Sequence, residues 1–433
     1  MTPEQFAALA EQGYNHIPIT QSVLADLDTP LSSYIKAAAG SYSYLLESAG
    51  QGGEKWSRYS MVGLPSETIL KVVGHKITVE TSGTVVEEIE TEDPLAYIEA
   101  FQARYRYPPI PDLPIYTGGL VGYFGYDTVR YVEPKLQHTM PPDTIGAPDI
   151  LLMVSNDVLV FDNVKGLIHL ITHANPGETD ALTLAFDRLG QMRERLQQPV
   201  SPNFFESQTG PMLREEDFVS TSGEEKFKAA VEQIREYIVA GDVMQVVLSQ
   251  RMSVRLEATP LDLYRALRSL NPSPYMYYMN LEDFHIVSSS PEILARLDDG
   301  EVTVRPLAGT RRRGMDETED RALEVELLAD PKEIAEHLML NELEPVKRGI
   351  FGGAVGYLSW NGNMDTAIAI RTAIVKDGTL YVQAGAGVVA DSIPRLEWKE
   401  TINKARSIMQ AATMAENGLR VSGSSKAKSN TRT

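Results

Sequence analysis

The sequence contains no cysteine, which excludes disulfide bonds, thiolate metal sites and cysteine nucleophiles. It also lacks any run of about 18 apolar residues that could cross a bilayer. The opening MTPEQFAALAEQGYN has neither the basic start nor the apolar centre of a signal peptide. We therefore expect a cytoplasmic protein that does not bind membranes.

Basic residues are scarce relative to acidic ones, with 40 Lys plus Arg against 59 Asp plus Glu and a formal net charge of −19. A surface of that charge repels nucleic acids and anionic lipids. An anionic substrate would therefore need a locally basic pocket. With 43% hydrophobic residues, the 433-residue chain can bury a large core and is long enough for two or three domains.

Composition divides the chain into two parts. Residues 1–200 contain short β-rich runs that alternate with helical stretches, and residues 201–221 have the Pro, Ser and Gly content of a linker. A second domain is predicted over residues 222–415, where Ser222 forms a predicted capping box that opens a helix. Residues 416–433 are small and polar, so we expect a flexible tail.

The pattern GGxVGY occurs twice, at residues 118–123 and 352–357. Paired glycines before Val and Tyr favour a strand that begins close to another backbone or to a ligand. Two similar strand starts in a duplicated sheet account for the repeat more simply than two ligand sites.

Two segments, ADPKEIAEH and DSIPRLEWKE, place a pair of glutamates just after a helix-initiating proline. The pairs are Glu333 with Glu336 and Glu397 with Glu400, and the i, i+3 spacing puts both carboxylates of a pair on one helix face. Up to four carboxylates would form an oxygen-only site suited to Mg²⁺. Alternatively, the first glutamate of each pair only stabilises the positive end of its helix.

Two further segments could bind an anion through main-chain amides. In VRPLAGTRRRG, Gly309 and Thr310 precede three arginines, although this string is equally typical of an exposed turn. In TLYVQAGAGVVADS, the Gly-Ala-Gly stretch at residues 385–387 ends a predicted strand. Arg371, on what we predict to be the neighbouring strand, would add a positive charge beside the proposed metal.

Four segments resemble signature blocks of the chorismate-utilising enzymes: PLAGTRRRG, LLADPKEIAEHLML, FGGAVGYLSWNGNMDTAIAIRTA and VQAGAGVVADSIPRLEWKETINKA. LLES, GEKWSRYS and NPSPYMYYM resemble the anthranilate synthase branch in particular. The similarity runs from Gly13 to Met409, nearly the whole chain. It implies an α/β fold of layered, largely antiparallel sheets flanked by helices, with an N-terminal regulatory domain and a C-terminal chorismate-binding domain.

The resemblance also implies roles for individual residues. Glu336 and Glu400 would bind Mg²⁺, with Glu333 and Glu397 in supporting positions. The substrate contacts would come from Gly309, Thr310, Phe351, Arg371, Gly385, Ala386 and Gly387. Phe351 stands where many relatives carry tyrosine, so one hydroxyl contact is expected to be absent.

Two positions distinguish the sister activities of this family. Enzymes that make aminodeoxychorismate carry a lysine nucleophile where this sequence has Ala308, which disfavours that alternative. Isochorismate and salicylate synthases use a lysine base where this sequence has Gln245. Attack of ammonia on chorismate, followed by loss of pyruvate to give anthranilate, is the reaction that remains, with Thr310 and Gln245 as the candidate catalytic residues. Because the chain has no cysteine, its ammonia would come from a separate glutamine amidotransferase subunit.

The resemblance further implies feedback inhibition by L-tryptophan in a pocket formed by Ser48, Pro274, Tyr275 and Met276. Taken alone, these residues would more often belong to a core or a turn.

The sequence departs from the family between Leu340 and Asn341, where several dozen residues are expected. The omitted part normally contains the histidine that protonates the departing ring hydroxyl. His337 does not replace it, because a residue next to Glu336 should point to a different face of the helix. A second interpretation is therefore a catalytically impaired remnant that binds tryptophan or docks the glutaminase subunit.

Overall fold

A computed structural model describes residues 1–48, 58–133, 140–201, 210–304 and 343–420. Over these ranges the chain forms two large antiparallel sheets flanked by helices, which confirms the predicted fold class. None of the helices in these ranges combines the length and the apolar character that a bilayer span requires.

The strands follow the β-rich runs of the sequence. In chain order they are β1 (Ile17–Leu24), β2 (Ser43–Glu47), β3 (Tyr59–Gly63), β4 (Thr68–Val73), β5 (Lys76–Thr81), β6 (Thr84–Glu90), β7 (Gly119–Phe124), β8 (Ile150–Ser155), β9 (Val158–Asp162), β10 (Leu167–Ala174), β11 (Val219–Ser220), β12 (Val246–Arg255), β13 (Tyr275–Asn280), β14 (Phe284–Ser290), β15 (Ile293–Asp298), β16 (Glu301–Thr303), β17 (Ala354–Ser359), β18 (Met364–Ile368), β19 (Thr372–Lys376) and β20 (Thr379–Val388).

The helices lie outside the two sheets. In chain order they are α1 (Pro3–Glu11), α2 (Pro30–Ser33), α3 (Pro94–Gln102), α4 (Val129–Val132), α5 (Ala181–Gln197), α6 (Glu224–Ala240), α7 (Pro260–Leu270) and α8 (Pro394–Glu416), with a π-helical turn at Tyr34–Ala38 and 3₁₀ turns at Tyr126–Thr128 and Glu215–Asp217.

Each sheet contains strands from both parts of the chain. The eleven-stranded sheet has the order β1-β10-β9-β3-β2-β13-β14-β19-β20-β12-β11, and the nine-stranded sheet has the order β16-β15-β18-β17-β7-β8-β4-β5-β6. Strands that precede residue 201 therefore form one side of each sheet, and later strands form the other. A single strand pair joins the two parts in each sheet, β2 with β13 and β7 with β17. The predicted boundary at residues 201–221 stays a prediction, and the two parts share both sheets.

The two GGxVGY copies meet at the second of these joins. They form β7 and β17, which pair antiparallel with Gly122 opposite Gly356. A Cβ atom on Gly122 would lie 1.9 Å from the carbonyl oxygen of Leu151, and one on Gly356 would lie 2.0 Å from that of Asp365. Close approach to neighbouring strands thus accounts for these glycines.

Helix starts agree only partly with the sequence patterns. Pro394 occupies the first position of α8 and Gly241 ends α6 with a φ of +89°, as predicted. The predicted capping box at Ser222 is wrong, because Gly223 occupies the N-cap with a φ of +71° and no side chain caps the helix. Ser222 lies one residue outside the cap and cannot reach the helical N–H groups.

The core is layered. One cluster joins the eleven-stranded sheet to α5, α7 and α8, a second lies between the two sheets, and a third joins the nine-stranded sheet to α3. A smaller cluster packs Phe227, Val231 and Ile234 of α6 against β12 and β20. This last packing brings the N-terminal turns of α8 close to the end of β20.

Candidate functional site

The described carboxylates of the predicted metal site lie in the first turns of α8. Burial raises the pKa of Glu397, and the hydroxyl of Ser392 opposes that shift through a hydrogen bond, while the nearby charge of Glu400 adds to it. Glu400 Oε1 lies 2.7 Å from Lys404 Nζ. The other predicted pair, Glu333 and Glu336, lies outside the described residues, as do Gly309 and Thr310.

Lys404 connects this helix to the predicted anion-binding strand. Its ammonium group donates a hydrogen bond to the carbonyl oxygen of Gly385 at 3.0 Å while it pairs with Glu400. Sequence reasoning missed this residue, although Glu400 and Lys404 have the i, i+4 spacing of a stabilising helical ion pair. Lys404 therefore fixes Glu400 beside β20.

β20 has one open side where the glycines lie. Strand β12 pairs with the whole of β20, but β19 pairs with it only over residues 379–382. The strand partner on the second side is lost because the chain bends at Arg371, which has a φ of +51°. Arg371 was expected on the neighbouring strand, and this is corrected: it lies one residue before β19 begins.

The hydrogen bonds of β12 show which amides face that open side. Ser249 N–H donates to Glu344 at 2.8 Å, and the carbonyl of Val247 accepts from Arg348 at 2.6 Å, so both groups point away from β20. Ser249 is paired with Gly385 and Val247 with Gly387. In an antiparallel ladder, residues of such pairs direct their main-chain groups outward. The N–H groups of Gly385 and Gly387 therefore point away from β12, to the open side of β20, and that of Ala386 points toward β12.

Gln245, which precedes β12, lies beside the same glycines. A Cβ atom on Gly387 would be 2.5 Å from Gln245 Nε2, and one on Gly385 would be 2.8 Å from Val247 Cγ1. A larger residue at position 385 would collide with Val247, whereas at position 387 only the flexible end of Gln245 would have to move. The neutral amide of Gln245 cannot act as a general base at this position.

Arg371 supplies a positive charge at the open side. Burial lowers the pKa of its guanidinium, and the charge of Glu400 opposes that shift. Its side chain has no hydrogen-bond partner within the described ranges. Since a half-buried cation without such partners is costly, the group is suited to binding an anion together with the two glycine amides.

Phe351 lies farther back, in the wall behind this end of the sheet. It is buried, its ring centroid is 5.8 Å from the guanidinium carbon of Arg348, and it borders a small cavity with Thr372 and Gln383. Arg348 itself is held by Glu344. Phe351 is therefore a packing residue in this geometry and offers no polar contact.

The carboxylates fit a hard cation only in part. Glu397 and Glu400 offer oxygen ligands one turn apart, which is the ligand type that Mg²⁺ prefers. Within the described ranges, no group of three or more His, Cys, Asp and Glu side chains is placed to hold a metal ion. Any complete site must draw its remaining ligands from other residues or from water.

A second feature is a cavity of about 1240 Å³ between the two sheets. All four residues of the predicted tryptophan pocket line it: Ser48, Pro274, Tyr275 and Met276. They meet because β2 and β13 pair at the join between the two parts of the chain, with Met276 opposite Glu47. We call this space the inter-sheet cavity.

Two carboxylates of the inter-sheet cavity, Glu47 and Asp365, already have protein partners. Glu47 accepts hydrogen bonds from the Tyr264 hydroxyl at 2.6 Å and from Arg268 at 2.8 and 2.9 Å. Asp365 pairs with Arg296 and accepts from the Tyr275 hydroxyl at 3.1 Å. Burial nevertheless raises the pKa of Asp365.

Sequence reasoning missed Glu47, Asp365 and Arg296 as residues of one site. They belong to strands that lie far apart along the chain, and no local pattern marks their association. Their pairing was not predictable without the strand order.

Comparisons with known proteins identify the family. A family model described as chorismate binding enzyme matches residues 43–343 and 339–410. Anthranilate synthase component 1 of Pseudomonas aeruginosa is 48% identical over 489 residues, covering 96% of this chain and 99% of that protein. The protein of the same name from Neisseria meningitidis serogroup B is 45% identical over 496 residues, covering 97% of this chain and 99% of its own.

Solved structures agree. The crystal structure of anthranilate synthase component I from Streptococcus pneumoniae matches with a TM-score of 0.69 at 30% identity, covering 89% of this chain and 99% of that chain. The menaquinone-specific isochorismate synthase of Escherichia coli shares the fold, with a TM-score of 0.61 at 16% identity over 94% of this chain and 98% of that one.

The alignments also bear on the join between Leu340 and Asn341. The two segments matched by the family model meet at residues 339–343, and the alignment to the Pseudomonas protein spans 489 residues although this chain has 433. Both facts agree with an internal gap at this place. The identity and coverage confirm the resemblance seen in the motifs: the chain belongs to the anthranilate synthase component I family of chorismate-binding enzymes.

Proposed function

We propose that this chain is the chorismate-binding subunit of an anthranilate synthase, a lyase that converts chorismate and ammonia into anthranilate and pyruvate for tryptophan biosynthesis in the cytoplasm. Relatives named anthranilate synthase component 1 that cover nearly the whole chain support this proposal. The observation that carries it is the open side of β20, where the N–H groups of Gly385 and Gly387 are free of β12 and where Arg371 lies within electrostatic reach of Glu400.

The open side of β20 suits one carboxylate of chorismate, which is a dicarboxylate. The guanidinium of Arg371 would donate charge-assisted hydrogen bonds, and the two glycine amides would bind the same group from the strand edge. Lys404 keeps the end of β20 in place through Gly385. Gly309 and Thr310, outside the described residues, are proposed to complete the substrate contacts, and Phe351 and Ala386 to support them by packing.

Mg²⁺ is the proposed cofactor. Glu400 and Glu336 would hold it, with Glu397 and Glu333 in support, and the ion would neutralise a substrate carboxylate when bound. The raised pKa of Glu397 favours this assignment, because a half-buried carboxylate with a like charge nearby is stabilised by a cation. The salt bridge with Lys404 would orient the carboxylate of Glu400 toward the proposed Mg²⁺ position.

The proposed reaction begins with attack of ammonia on ring C2 and departure of the ring hydroxyl as water. The enolpyruvyl group then leaves as pyruvate after a proton is delivered to its methylene carbon, and loss of the C2 proton makes the ring aromatic. Gln245 favours ammonia over water as the nucleophile because its amide cannot deprotonate water. Thr310 is the second candidate catalytic residue.

The ammonia would come from a partner, a glutamine amidotransferase subunit of the component II type. The absence of cysteine supports this division of labour, since a cysteine glutaminase cannot be built from this sequence. The inter-sheet cavity is the proposed site for L-tryptophan as inhibitor, with Ser48, Pro274, Tyr275 and Met276 as its contacts.

The alternative function is a catalytically impaired remnant that still binds tryptophan or docks the glutaminase subunit. The internal gap at Leu340 and Asn341 favours it, because the omitted part is expected to carry the general acid. Aminodeoxychorismate synthesis, the second alternative, is disfavoured by Ala308.

The test is anthranilate fluorescence from purified protein with chorismate, saturating ammonium and Mg²⁺. We expect product from the unmodified chain and none from Glu336→Gln or Glu400→Gln, while Glu194→Gln on the exposed face of α5 serves as the matched control. Absence of product from a sample with a cooperative thermal transition would contradict the catalytic proposal and leave the remnant as the better account.

A further inference from the structure

Two of the segments that connect the two sheets lie side by side, and we call them crossings. The first leads from β14 of the eleven-stranded sheet to β15 of the nine-stranded sheet, through residues 291–292. The second leads back from β18 to β19 through residues 369–371, and it ends with Arg371. The segment that carries Arg371 is therefore one of the connections between the two sheets.

Hydrogen bonds tie the two crossings together. The hydroxyl of Ser290 donates to the carbonyl of Ile368 at 2.7 Å, and the N–H of Ile368 donates to the carbonyl of Glu292 at 3.1 Å. One residue earlier, the N–H of Ser289 donates to the carbonyl of Arg371 at 3.1 Å. Both serines are fully buried. These bonds hold the left-handed bend at Arg371.

The first crossing also borders the inter-sheet cavity. Tyr275 and Met276, two of the residues that line the cavity, are paired in the β13–β14 ladder with Ser290 and Ser289 respectively. Glu292 lines the cavity directly. A molecule that fills the cavity thus contacts both the strand next to the serines and the crossing that they anchor.

We infer that Ser290 is a positioning residue that couples the inter-sheet cavity to Arg371. This inference rests on the proposed function, because it concerns how tryptophan in the cavity alters chorismate binding. A ligand that displaces Tyr275 or Glu292 shifts Ser290, which is paired with Tyr275 in the β13–β14 ladder. The shift moves Ile368, because the hydroxyl of Ser290 is hydrogen-bonded to its carbonyl. The shift changes the direction of Arg371 three residues later and weakens its contact with the substrate carboxylate. Energetic coupling of two sites through a hydrogen-bonded element of this kind is reciprocal.

The experiment is titration calorimetry with the unmodified chain and Ser290→Ala. It measures the dissociation constant of chorismate, with Mg²⁺ present, in the absence and presence of saturating tryptophan. We expect tryptophan to raise that constant about tenfold in the unmodified chain and less than about threefold in Ser290→Ala. Each ligand alone should bind both proteins with similar affinity, which a purely structural role for Ser290 would not predict.

Ser66→Ala is the matched control. Ser66 donates to the carbonyl of Val154 at 2.7 Å, the same distance as Ser290 to Ile368, but it lies in the separate connection from β3 to β4, which does not contain Arg371. In Ser66→Ala, tryptophan should still raise the dissociation constant of chorismate about tenfold. Ser290→Thr, which retains the hydroxyl, should show the same roughly tenfold rise. An unchanged tryptophan effect in folded Ser290→Ala would overturn the inference, as would failure of either ligand to bind the unmodified chain.

If Ser290→Ala does not fold, the coupling is tested by measuring amide hydrogen exchange of the unmodified chain with and without tryptophan. Tryptophan should change the exchange of the amides of Ser289 and Ile368 together, and bound tryptophan without that change would overturn the inference. Since all these readouts measure binding, a lack of anthranilate formation counts against the proposed reaction alone.

Discussion

The inter-sheet cavity and the α8 end of the eleven-stranded sheet differ in how Glu47 and Asp365, in the first, and Arg371, in the second, are partnered. In the cavity, Glu47 is held by Arg268 and Tyr264, and Asp365 by Arg296 and Tyr275. At the α8 end, Arg371 has no hydrogen-bond partner within the described ranges.

A buried or half-buried charge is costly unless it is paired. We therefore expect the paired charges to contribute to the fold, and we propose that Arg371 binds a ligand. We therefore expect substitutions in the cavity wall to lower the free energy of unfolding, and substitutions beside β20 to weaken the binding of chorismate.

The largest expected effect concerns two histidines behind the cavity. His16 and His173 stack with ring centroids 4.1 Å apart, and His16 also contacts Trp360 of the cavity lining. Burial lowers the pKa of His173 to about 4 and lowers that of His16 as well. The unfolded chain binds protons at these residues near pH 6.5, so stability is complete above that pH and falls as the pH drops toward 4.

We expect a loss of roughly 3 kcal/mol in the free energy of unfolding between pH 7 and pH 5. Urea denaturation at a series of pH values measures it. His173→Asn should make the dependence shallower, and an equal slope in both proteins would contradict the assignment.

Removal of a paired cation from the cavity wall should come next. Arg268→Met leaves Glu47, which is 7% exposed, with the Tyr264 hydroxyl as its one remaining side-chain partner among the residues that the structure describes. The cost should be about 2 kcal/mol, since a buried acceptor loses two charge-assisted bonds while Arg268 itself is partly exposed. Urea unfolding measures it, and Arg214→Met, at an exposed pair, should leave the midpoint unchanged.

Removal of the Arg371 cation should affect ligand binding rather than the free energy of unfolding. Arg371→Met should weaken chorismate binding about tenfold while the free energy of unfolding changes by less than about 0.5 kcal/mol. Calorimetry with chorismate and Mg²⁺, together with urea unfolding, separates the two quantities. Arg406→Met, on the surface of α8, is the control. A stability loss like that of Arg268→Met would break the distinction between the two regions.

The smallest expected effect is at Lys404. Lys404→Met removes one helical ion pair and the hydrogen bond to Gly385, so we expect a loss of about 0.5–1 kcal/mol. Lys228→Met on α6 is the control, because Lys228 pairs with Glu224 and Glu225 of its own helix and, within the described ranges, donates no hydrogen bond to a strand. Equal thermal midpoints for the two variants would show that the bond to Gly385 adds nothing.

Local patterns predicted much of the architecture. Pro394 begins α8 with Glu397 and Glu400 on its first turns, and Gly241 ends α6. The β-rich runs became strands, and the motif strings identified the family that the comparisons confirmed. These features depend on neighbours within a few residues, which a sequence displays directly.

The candidate site was less predictable. Arg371 was expected on a strand and instead has a left-handed conformation before β19, because the chain there crosses between the sheets. Ser222 was expected to cap α6 and does not. Thr310, Glu333 and Glu336 lie outside the described residues, so their roles stay predictions.

The sequence by itself determined the family and the lack of a cysteine glutaminase in this chain. It also named the residues that would bind chorismate and Mg²⁺ in the reaction of that family. Only the tertiary structure decided that Ser48 and Met276 share one cavity, that Gly385 and Gly387 turn their amides to the open side of β20, and that Ser290 joins the two crossings. The reason is physical: strand partners are chosen by packing between segments far apart in sequence, and no local preference encodes that choice.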